Sequence, residues 1–270
     1  MEYLVYMIEI IFYLIGITII CIGGYNIKSL TLSGSIAAFI VACCVALGFG
    51  WRGLVLLGTF FVSSSLWSKY KKQKKEQLAE ILEKGERRDW IQVMANGAVT
   101  SVAALLFYVT GNDMWQMAFI VSLAAANADT WASEIGVLSK RRPIYILSLK
   151  AVEKGTSGAV SLLGLLSSLG GSLLIVAVSS ILLPISSVAS LLFMIVCGFV
   201  GSLIDTILGA LVQVKYKCEQ CGIITEKSVH CGQNTVIIEG IGYINNDAVN
   251  LLSIFLATLL GVLTFPLFQL

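Results

Sequence analysis

Apolar runs of about 20 residues recur along the whole sequence and are separated by polar segments. A helix needs about 20 apolar residues to cross the hydrocarbon core of a bilayer. Charged residues make up 13% of the chain, about half the share in a soluble domain, and the mean hydropathy is +0.88. We therefore expect an all-α fold, a polytopic integral membrane helical bundle of about eight transmembrane helices in a single membrane domain, 1–270.

The two shortest runs lie next to each other, and only Gly48 to Arg52 separate them, which predicts a helical hairpin. The first run lacks a basic segment before it and is predicted to be a retained span rather than a signal peptide. The predicted spans are 4–22, 30–48, 53–68, 91–110, 114–136, 158–182, 188–214 and 247–268.

The distribution of basic residues predicts the orientation of these spans. With eight spans, all 18 Lys and Arg residues except Arg52 fall on the same side, and Lys and Arg collect in cytoplasmic loops. The basic loop 69–90 and the Cys/His loop 215–246 are therefore predicted to be cytoplasmic, with both termini outside. Because the opposite loops are short and carry few polar groups, we expect the active face to be cytoplasmic, at the plasma membrane of a prokaryote.

Carboxylates occur inside two of the apolar runs, where they are costly and usually functional. Asp129 lies 11 residues before Lys140, and Asp205 lies 10 residues before Lys215. At the rise of an α-helix, each lies roughly 15 Å below its basic boundary, so both fit one water-filled pocket. Carboxylates completed by substrate phosphates are the usual ligands of Mg²⁺. A structural pairing and a proton or ion pathway are the alternatives.

The segment Asn127 to Gly136 places more polar groups on the same helix. Asn127 and Glu134 share a face because they are seven residues apart. A further acid, Asp247, opens the last predicted span among three amides. The candidate catalytic carboxylates are Asp129, Glu134, Asp205 and Asp247.

Several segments suit phosphate binding or substrate orientation. Arginine binds phosphate through a planar fork of donors. The run Lys154 to Gly158 offers backbone N–H groups, hydroxyls and a lysine at a predicted helix start, which suits an anion, although capping of the helix explains it equally well. The candidate substrate- or nucleotide-binding residues are Arg87, Arg88, Gln92, Asn96, Asn127, Lys154, Gly155, Thr156, Ser157, Gly158, Asn245, Asn246 and Asn250.

Three cysteines and the single histidine of the chain cluster in the loop 215–246. Cys218, Cys221, His230 and Cys231 follow the pattern C-x₂-C-x₈-H-C, which supplies the four ligands of a structural Zn²⁺ site. The adjacent His230 and Cys231 must bend to share one metal. Reduced thiols in a loop without metal are the alternative.

Five blocks of the sequence resemble the signature blocks of the transmembrane protein 19 family, which includes the plant phytyl-phosphate kinase. The resemblance runs from Trp67 to the C-terminus. The segment Asp129-Thr130-x-Ala132-Ser133-x-x-Gly136 is also similar to the D-x-x-A-x-x-x-G segment of dolichol kinase and phosphatidate cytidylyltransferase, membrane enzymes that use CTP and Mg²⁺. The blocks are 87–97, 127–136, 153–164, 201–210 and 244–253.

The resemblance implies an enzyme, a phosphotransferase that moves phosphate from a nucleoside triphosphate, CTP by preference, to an isoprenyl monophosphate. The implied partners are the lipid bilayer, the nucleotide and the isoprenyl phosphate, with no nucleic acid. Mg²⁺ is the implied cofactor, and Zn²⁺ would be structural. Cytidylyl transfer to a lipid phosphate, and transport or flipping of a phosphorylated lipid without chemistry, remain as alternatives.

Overall fold

A computed structural model describes residues 2–71, 73, 85, 87–185 and 187–265. Part of the predicted basic loop 69–90, including Lys72, Lys74, Lys75 and Lys84, lies outside these described residues, as does the end of the last predicted span, 266–268. The described helices are α1 (Glu2–Asn26), α2 (Leu32–Lys69), α3 (Trp90–Thr110), α4 (Asp113–Gly136), α5 (Leu162–Leu182), α6 (Val188–Leu211) and α7 (Asn246–Thr264).

The helical membrane bundle predicted from the sequence is confirmed. Six of the described helices are long and apolar enough to cross a membrane, judged by length and composition. The remaining helix, α4, is the centre of the bundle: it packs against α2, α3, α5, α6 and α7, and its residues from Gln116 to Ala128 are all buried. The span count of about eight and the cytoplasmic orientation stay predictions.

Helix α2 is a hairpin of two arms, as the sequence predicts. Its helical geometry breaks at Gly50, where φ is 56° and ψ is −146°, a conformation that glycine adopts most easily. Both termini of α2 lie at the same end of the bundle. The Lys69 ammonium, in the last turn of α2, donates to the carbonyl oxygen of Ile27, just before the first turn, at 3.0 Å.

The polar connections meet at one end of the bundle, here called the loop end. Thr31 N donates to Arg88 O at 2.9 Å, Ser161 Oγ donates to Gly136 O at 3.3 Å, and Val214 N donates to Ile244 O at 2.8 Å. The predicted grouping of the basic connections on one side is therefore present in the fold. The tip of the α2 hairpin lies at the opposite end.

Helices α1, α5 and α6 each have a boundary three or four residues away from the predicted one. Helix α1 continues to Asn26, and α6 ends at Leu211 rather than at residue 214. Helix α5 begins at Leu162 rather than at residue 158, because the Ser161 side chain caps it by accepting from Gly164 N at 3.1 Å. The residues just before Ser161 instead form a short strand.

Short antiparallel strands in the connections correct the all-α prediction in detail. Strands β1 (Ile144–Tyr145) and β2 (Ala159–Val160) pair with each other. The Cys/His loop holds five more strands, which are β3 (Lys215–Lys217), β4 (Ile224–Thr225), β5 (Val229–His230), β6 (Gln233–Asn234) and β7 (Val236–Glu239). Strands β4, β3 and β7 form a sheet in that order, and β5 pairs with β6 in a hairpin.

The first arm of α2 approaches α3 so closely at Gly48 that no side chain fits there. A Cβ atom at Gly48 would lie 2.4 Å from the carbonyl oxygen of Ala104, whereas a Cβ atom at Gly58 would meet nothing within 4 Å. We expect Gly48→Ala to destabilise the protein by about 1 to 3 kcal/mol, since the helices must separate. Gly58→Ala, on the same helix, is the matched control and should not lower the thermal unfolding temperature in detergent. Equal unfolding temperatures for the two variants would contradict this packing.

Candidate functional site

The centre of the site is a pair of carboxyl groups, one on α4 and one on α6. The side chains of Asp129 and Asp205 interact directly with each other. Ser253 on α7 donates its hydroxyl to Asp205 Oδ2 at 3.1 Å. Protein surrounds both carboxyl groups, yet each residue keeps some solvent exposure. Three helices therefore contribute to one acidic site, and the similar depth predicted for the two aspartates is confirmed.

Small residues one turn below the acidic pair let these three helices approach. A Cβ atom at Gly201 of α6 would lie 2.6 Å from the Ala125 Cβ atom of α4 and 3.1 Å from the Ala257 Cβ atom of α7. One turn of four residues towards the loop end leads from Ala125 to Asp129, from Gly201 to Asp205 and from Ala257 to Ser253. The Ala125–Gly201–Ala257 layer is therefore the floor on which the pair lies.

The threonines that follow the two aspartates are bound to their own helices. Thr130 Oγ1 donates to Ala126 O at 2.9 Å, and Thr206 Oγ1 donates to Ser202 O at 3.1 Å. The threonine hydroxyls are thus bound within their own helices, and the two carboxyl groups face each other. Two ionised carboxylates in contact repel, so a cation or a shared proton must offset the charge. The hard oxygen donors fit Mg²⁺, which proteins hold through one or two carboxylates.

Two loops meet beside this pair through Ser157, a predicted site residue, and through Gln213 and Glu226, which the sequence interpretation missed. Ser157 Oγ donates to Gln213 Oε1 at 2.7 Å, and Gln213 Nε2 donates to Glu226 Oε1 at 2.7 Å. Glu226 is close enough to act electrostatically on Asp205. Gln213 is 2% exposed, so this link is internal. Glu226 lies between the two halves of the C-x₂-C-x₈-H-C pattern but is not one of its residues, and no signal in the sequence could have marked it or Ser253.

Glu134 belongs to a different network, which faces α2. Ser68 Oγ donates to Glu134 Oε1 at 2.6 Å, and Arg88 Nη1 donates to Ser65 Oγ at 3.0 Å. Burial lowers the pKa of Arg88, and the nearby charge of Glu134 offsets part of that effect. The charges of Arg88 and Glu134 thus offset each other where α2, α3 and α4 meet. The structure does not bring Glu134 into the Asp129–Asp205 pair.

Arg87 and Gln92 have structural contacts at the start of α3. Arg87 Nε donates to Leu30 O at 2.8 Å, and its guanidinium lies 5.0 Å from the centre of the Tyr25 ring. Gln92 forms a capping box with Asp89, whose backbone N donates to Gln92 Oε1 at 3.1 Å. These contacts order the connection between α1 and α2 and the first turn of α3.

Asn96 is better placed than Arg87 or Gln92 to reach the acidic pair. It lies one turn nearer the loop end than Val99, which packs against the Ala125 and Ala257 floor region. Asn96 Nδ2 donates to Gln92 O at 2.9 Å. Because Asn96 and Val99 are three residues apart, they share the face of α3 that is directed at α4 and α7.

Asn127 is a structural link between three helices. Its side chain is fully buried, and its Oδ1 accepts from Ser63 Oγ at 3.1 Å and from Ser64 Oγ at 3.3 Å. Its Nδ2 donates to Gly171 O at 2.8 Å. These bonds join α4 to α2 and α5 and occupy most of the hydrogen-bonding capacity of the amide.

The predicted anion site at a helix N-terminus is corrected by the position of the segment Lys154 to Gly158. This segment is a turn followed by β2, with φ of 83° at Gly155 and 82° at Gly158, and it does not open α5. Thr156 Oγ1 donates to Glu153 O at 2.8 Å. A Cβ atom at Gly158 would lie 2.5 Å from the Ala210 Cβ atom, so the loop packs on the last turn of α6.

The first turn of α7 lies above the acidic pair. Asn245 caps the helix by accepting from Ala248 N at 3.1 Å, and Asn246 is half-buried. Asp247 is 4% exposed and, six positions before Ser253, lies roughly 9 Å along the helix from that serine. Ser253 Oγ also contacts Asn250 O at 2.9 Å, so Asn250 is the member of this group nearest the pair.

The Cys/His cluster is brought together as the sequence predicts. The potential ligand atoms of Cys218, Cys221, His230 and Cys231 all lie within 4.8 Å of one another. The backbone N–H of Cys221 is the main cause that lowers the pKa of Cys218 to about 6. Hydrogen bonding to the Cys221 sulfur is the main cause that raises the pKa of Cys231 to about 11.

Comparison with known proteins gives relatives along almost the whole chain. The sequence model of the integral membrane protein family DUF92 matches residues 15–258. Protein PGR of Arabidopsis thaliana is 32% identical over 93% of this chain and 94% of its own length. The uncharacterized membrane protein MJ0933 of Methanocaldococcus jannaschii is 29% identical over 93% of both chains. Protein VTE6, chloroplastic, of Arabidopsis thaliana is 26% identical over 88% of this chain and 66% of its own. No solved structure matches.

The contacts of Asn127 predict a loss of stability when its amide is removed. We expect Asn127→Ala to destabilise the protein by about 1 to 3 kcal/mol, because Ser63, Ser64 and the Gly171 carbonyl lose a buried partner. Thermal unfolding in detergent measures the effect. Ser133→Ala, an exposed position of the same helix, is the control and should unfold like the parent protein. An unchanged unfolding temperature for Asn127→Ala would remove the structural role.

Proposed function

The chain belongs to the DUF92 family of integral membrane proteins, and from this premise we propose that it is a phosphotransferase that converts an isoprenyl monophosphate to its diphosphate. The resemblance of five sequence blocks to the family that includes the plant phytyl-phosphate kinase supports a kinase-like membrane protein. The names Protein PGR and Protein VTE6 state no reaction, so membership of the family does not by itself fix the reaction. The site must therefore carry the proposal.

The observation that carries it is the contact between Asp129 and Asp205. Phosphoryl transfer requires positioning and charge compensation more than covalent chemistry from the protein. Two carboxylates on neighbouring helices are the ligands expected for the metal of a nucleoside triphosphate. Bound there, Mg²⁺ would offset the charge that develops on the transferred phosphoryl group.

The acceptor supplies its own nucleophile in this reaction. An oxygen of the isoprenyl phosphate attacks the γ-phosphorus of the nucleotide, the bond from that phosphorus to the β–γ bridging oxygen breaks, and the nucleoside diphosphate leaves. Because the attacking oxygen is already anionic, the chain does not have to provide a strong general base. Asn96 and Asn250 lie on α3 and α7, which both pack against α4, and are proposed to orient the phosphate groups, which is the role of preorganised donors in such sites.

The bilayer setting suits a substrate with a phosphate head and an isoprenoid tail. The outer helices expose many aliphatic side chains, such as Ile15 and Leu173, which suit contact with lipid. A tail can remain in that apolar phase while the head reaches the loop end, where the acidic pair lies. The prokaryotic plasma membrane with a cytoplasmic loop end is part of the proposal, although VTE6 itself carries the name chloroplastic.

The proposal requires both aspartates but not other acids of the same helices. We expect Asp129→Asn and Asp205→Asn each to lower transfer of phosphate from CTP to phytyl or farnesyl monophosphate by at least about 100-fold. The measurement is radiolabelled lipid product from purified protein with Mg²⁺, alongside thermal unfolding to verify folding. Asp113→Asn is the matched control, because Asp113 is exposed at the opposite end of α4. Full activity in either site variant would overturn the proposal.

The position of the label in CTP separates the kinase from a cytidylyltransferase on the same site. We expect label from γ-phosphate to appear in the lipid and label from α-phosphate to stay in the released nucleotide. Chelation of Mg²⁺ should abolish the transfer, and added Mg²⁺ should restore it, since the proposed reaction holds the nucleotide through a metal on the carboxylate pair. Lipid carrying the α-label would assign cytidylyl transfer instead, and flux of lipid phosphate in liposomes without conversion would assign a transporter.

A further inference from the structure

The Cys/His cluster has the dimensions of a tetrahedral metal site. With Zn–S bonds of about 2.3 Å and Zn–N bonds of about 2.0 Å, ligand atoms in such a site are separated by about 3.5 to 3.8 Å. His230 Nδ1 lies 3.4 Å from Cys221 Sγ and 3.2 Å from Cys231 Sγ. All four potential ligand atoms lie within 4.8 Å of one another. Small shifts would bring every one of them into contact with a single ion.

Two tight turns bring the side chains of the Cys/His cluster together. After His230, the chain reverses through Cys231 and Gly232, with φ of 50° and 76°. The positive φ of a non-glycine residue is uncommon, and here it lets the side chains of His230 and Cys231 approach each other. On the other side, Gly222 has φ of 77°, and its N donates to Cys218 O at 2.8 Å, which closes the turn that holds Cys218 and Cys221.

The segment around this cluster has little apolar core to hold it in place. Ile224, Val229 and Ile237 are each about half exposed. The strands here are two to four residues long, which is too short to be stable without further support. A bound metal is the usual way in which a small loop of this kind is stabilised.

We propose that Cys218, Cys221, His230 and Cys231 bind one structural Zn²⁺ ion and that this ion fixes the loop carrying Glu226 beside the Asp129–Asp205 pair. Three thiolates and one imidazole are a closed structural ligand set, with no open position for a substrate. Glu226 lies between the two halves of the ligand set in sequence and accepts from Gln213 Nε2 at 2.7 Å. The metal assignment is independent of the reaction, whereas its consequence for the acidic pair rests on the proposed function.

Metal analysis of the purified protein tests the ligand set directly. We expect about one zinc per chain by mass spectrometry after purification without added metal, and Co²⁺ exchange should give thiolate charge-transfer bands. Cys218→Ser and Cys231→Ser should each lose the zinc, whereas Cys44→Ser, a half-buried thiol of α2, should keep it. His230→Ala should lose metal, and His230→Cys should retain it, because four cysteines also form a structural zinc set.

Several results would overturn the assignment. These are protein without stoichiometric metal, iron in place of zinc, a disulfide revealed by intact mass, or undiminished zinc in His230→Ala. Limited trypsin digestion gives a second readout that does not involve catalysis: chelation should speed cleavage after Lys217 and Lys227 in the parent protein. Unchanged cleavage would remove the stabilising role of the ion. A protein that binds zinc but transfers no phosphate would leave this inference standing and refute the proposed function alone.

Discussion

The close approach of α4, α6 and α7 at Gly201 is the constraint on which the acidic site depends. Helices within van der Waals contact leave no room for water between them, and the next turn then places Asp129 against Asp205. Transferring two carboxylates to such a setting is costly. A structural role would be served more cheaply by groups that complement each other in charge. The like-charged pair is therefore the feature of this bundle that packing alone does not explain.

The other polar groups inside the bundle provide a contrast. Arg88 compensates Glu134, Asn127 is bonded to three neighbours, and Ser168 is bonded to Ser202 across α5 and α6. Each of these contacts joins two helices and satisfies its members. In the described part of the chain, Ser29 Oγ is the buried side-chain atom left without a hydrogen bond, and it lies in the turn between α1 and α2. The Asp129–Asp205 pair differs from these contacts, because two groups of like charge face each other there.

Helical regularity explains which parts of the site could be predicted from the sequence. The rise per residue is fixed, so distance from a basic boundary gave the common depth of Asp129 and Asp205 correctly. The glycine and short spans around residue 50 likewise predicted the hairpin. Sequence spacing failed where the path of the chain depends on turns: the segment Lys154 to Gly158 was expected to open a helix, but Ser161 provides the cap three residues later. Glu226 reaches the pair through a loop whose course no periodicity encodes.

The residues of the site that lie on helices and those that lie on loops are positioned by different contacts. Asp129, Asp205 and Ser253 are positioned by helices packed through small residues, so their geometry depends on the bundle. Gln213 and Glu226 are positioned by the Cys/His loop and by Ser157, whose own segment is anchored where Gly158 meets Ala210. In the proposed reaction the helices hold the charged groups that must not move, while the two loops hold the polar groups beside them. Gln213 joins the two loops, because it accepts from Ser157 Oγ and donates to Glu226 Oε1, and Glu226 in turn adds to the electrostatic field at Asp205.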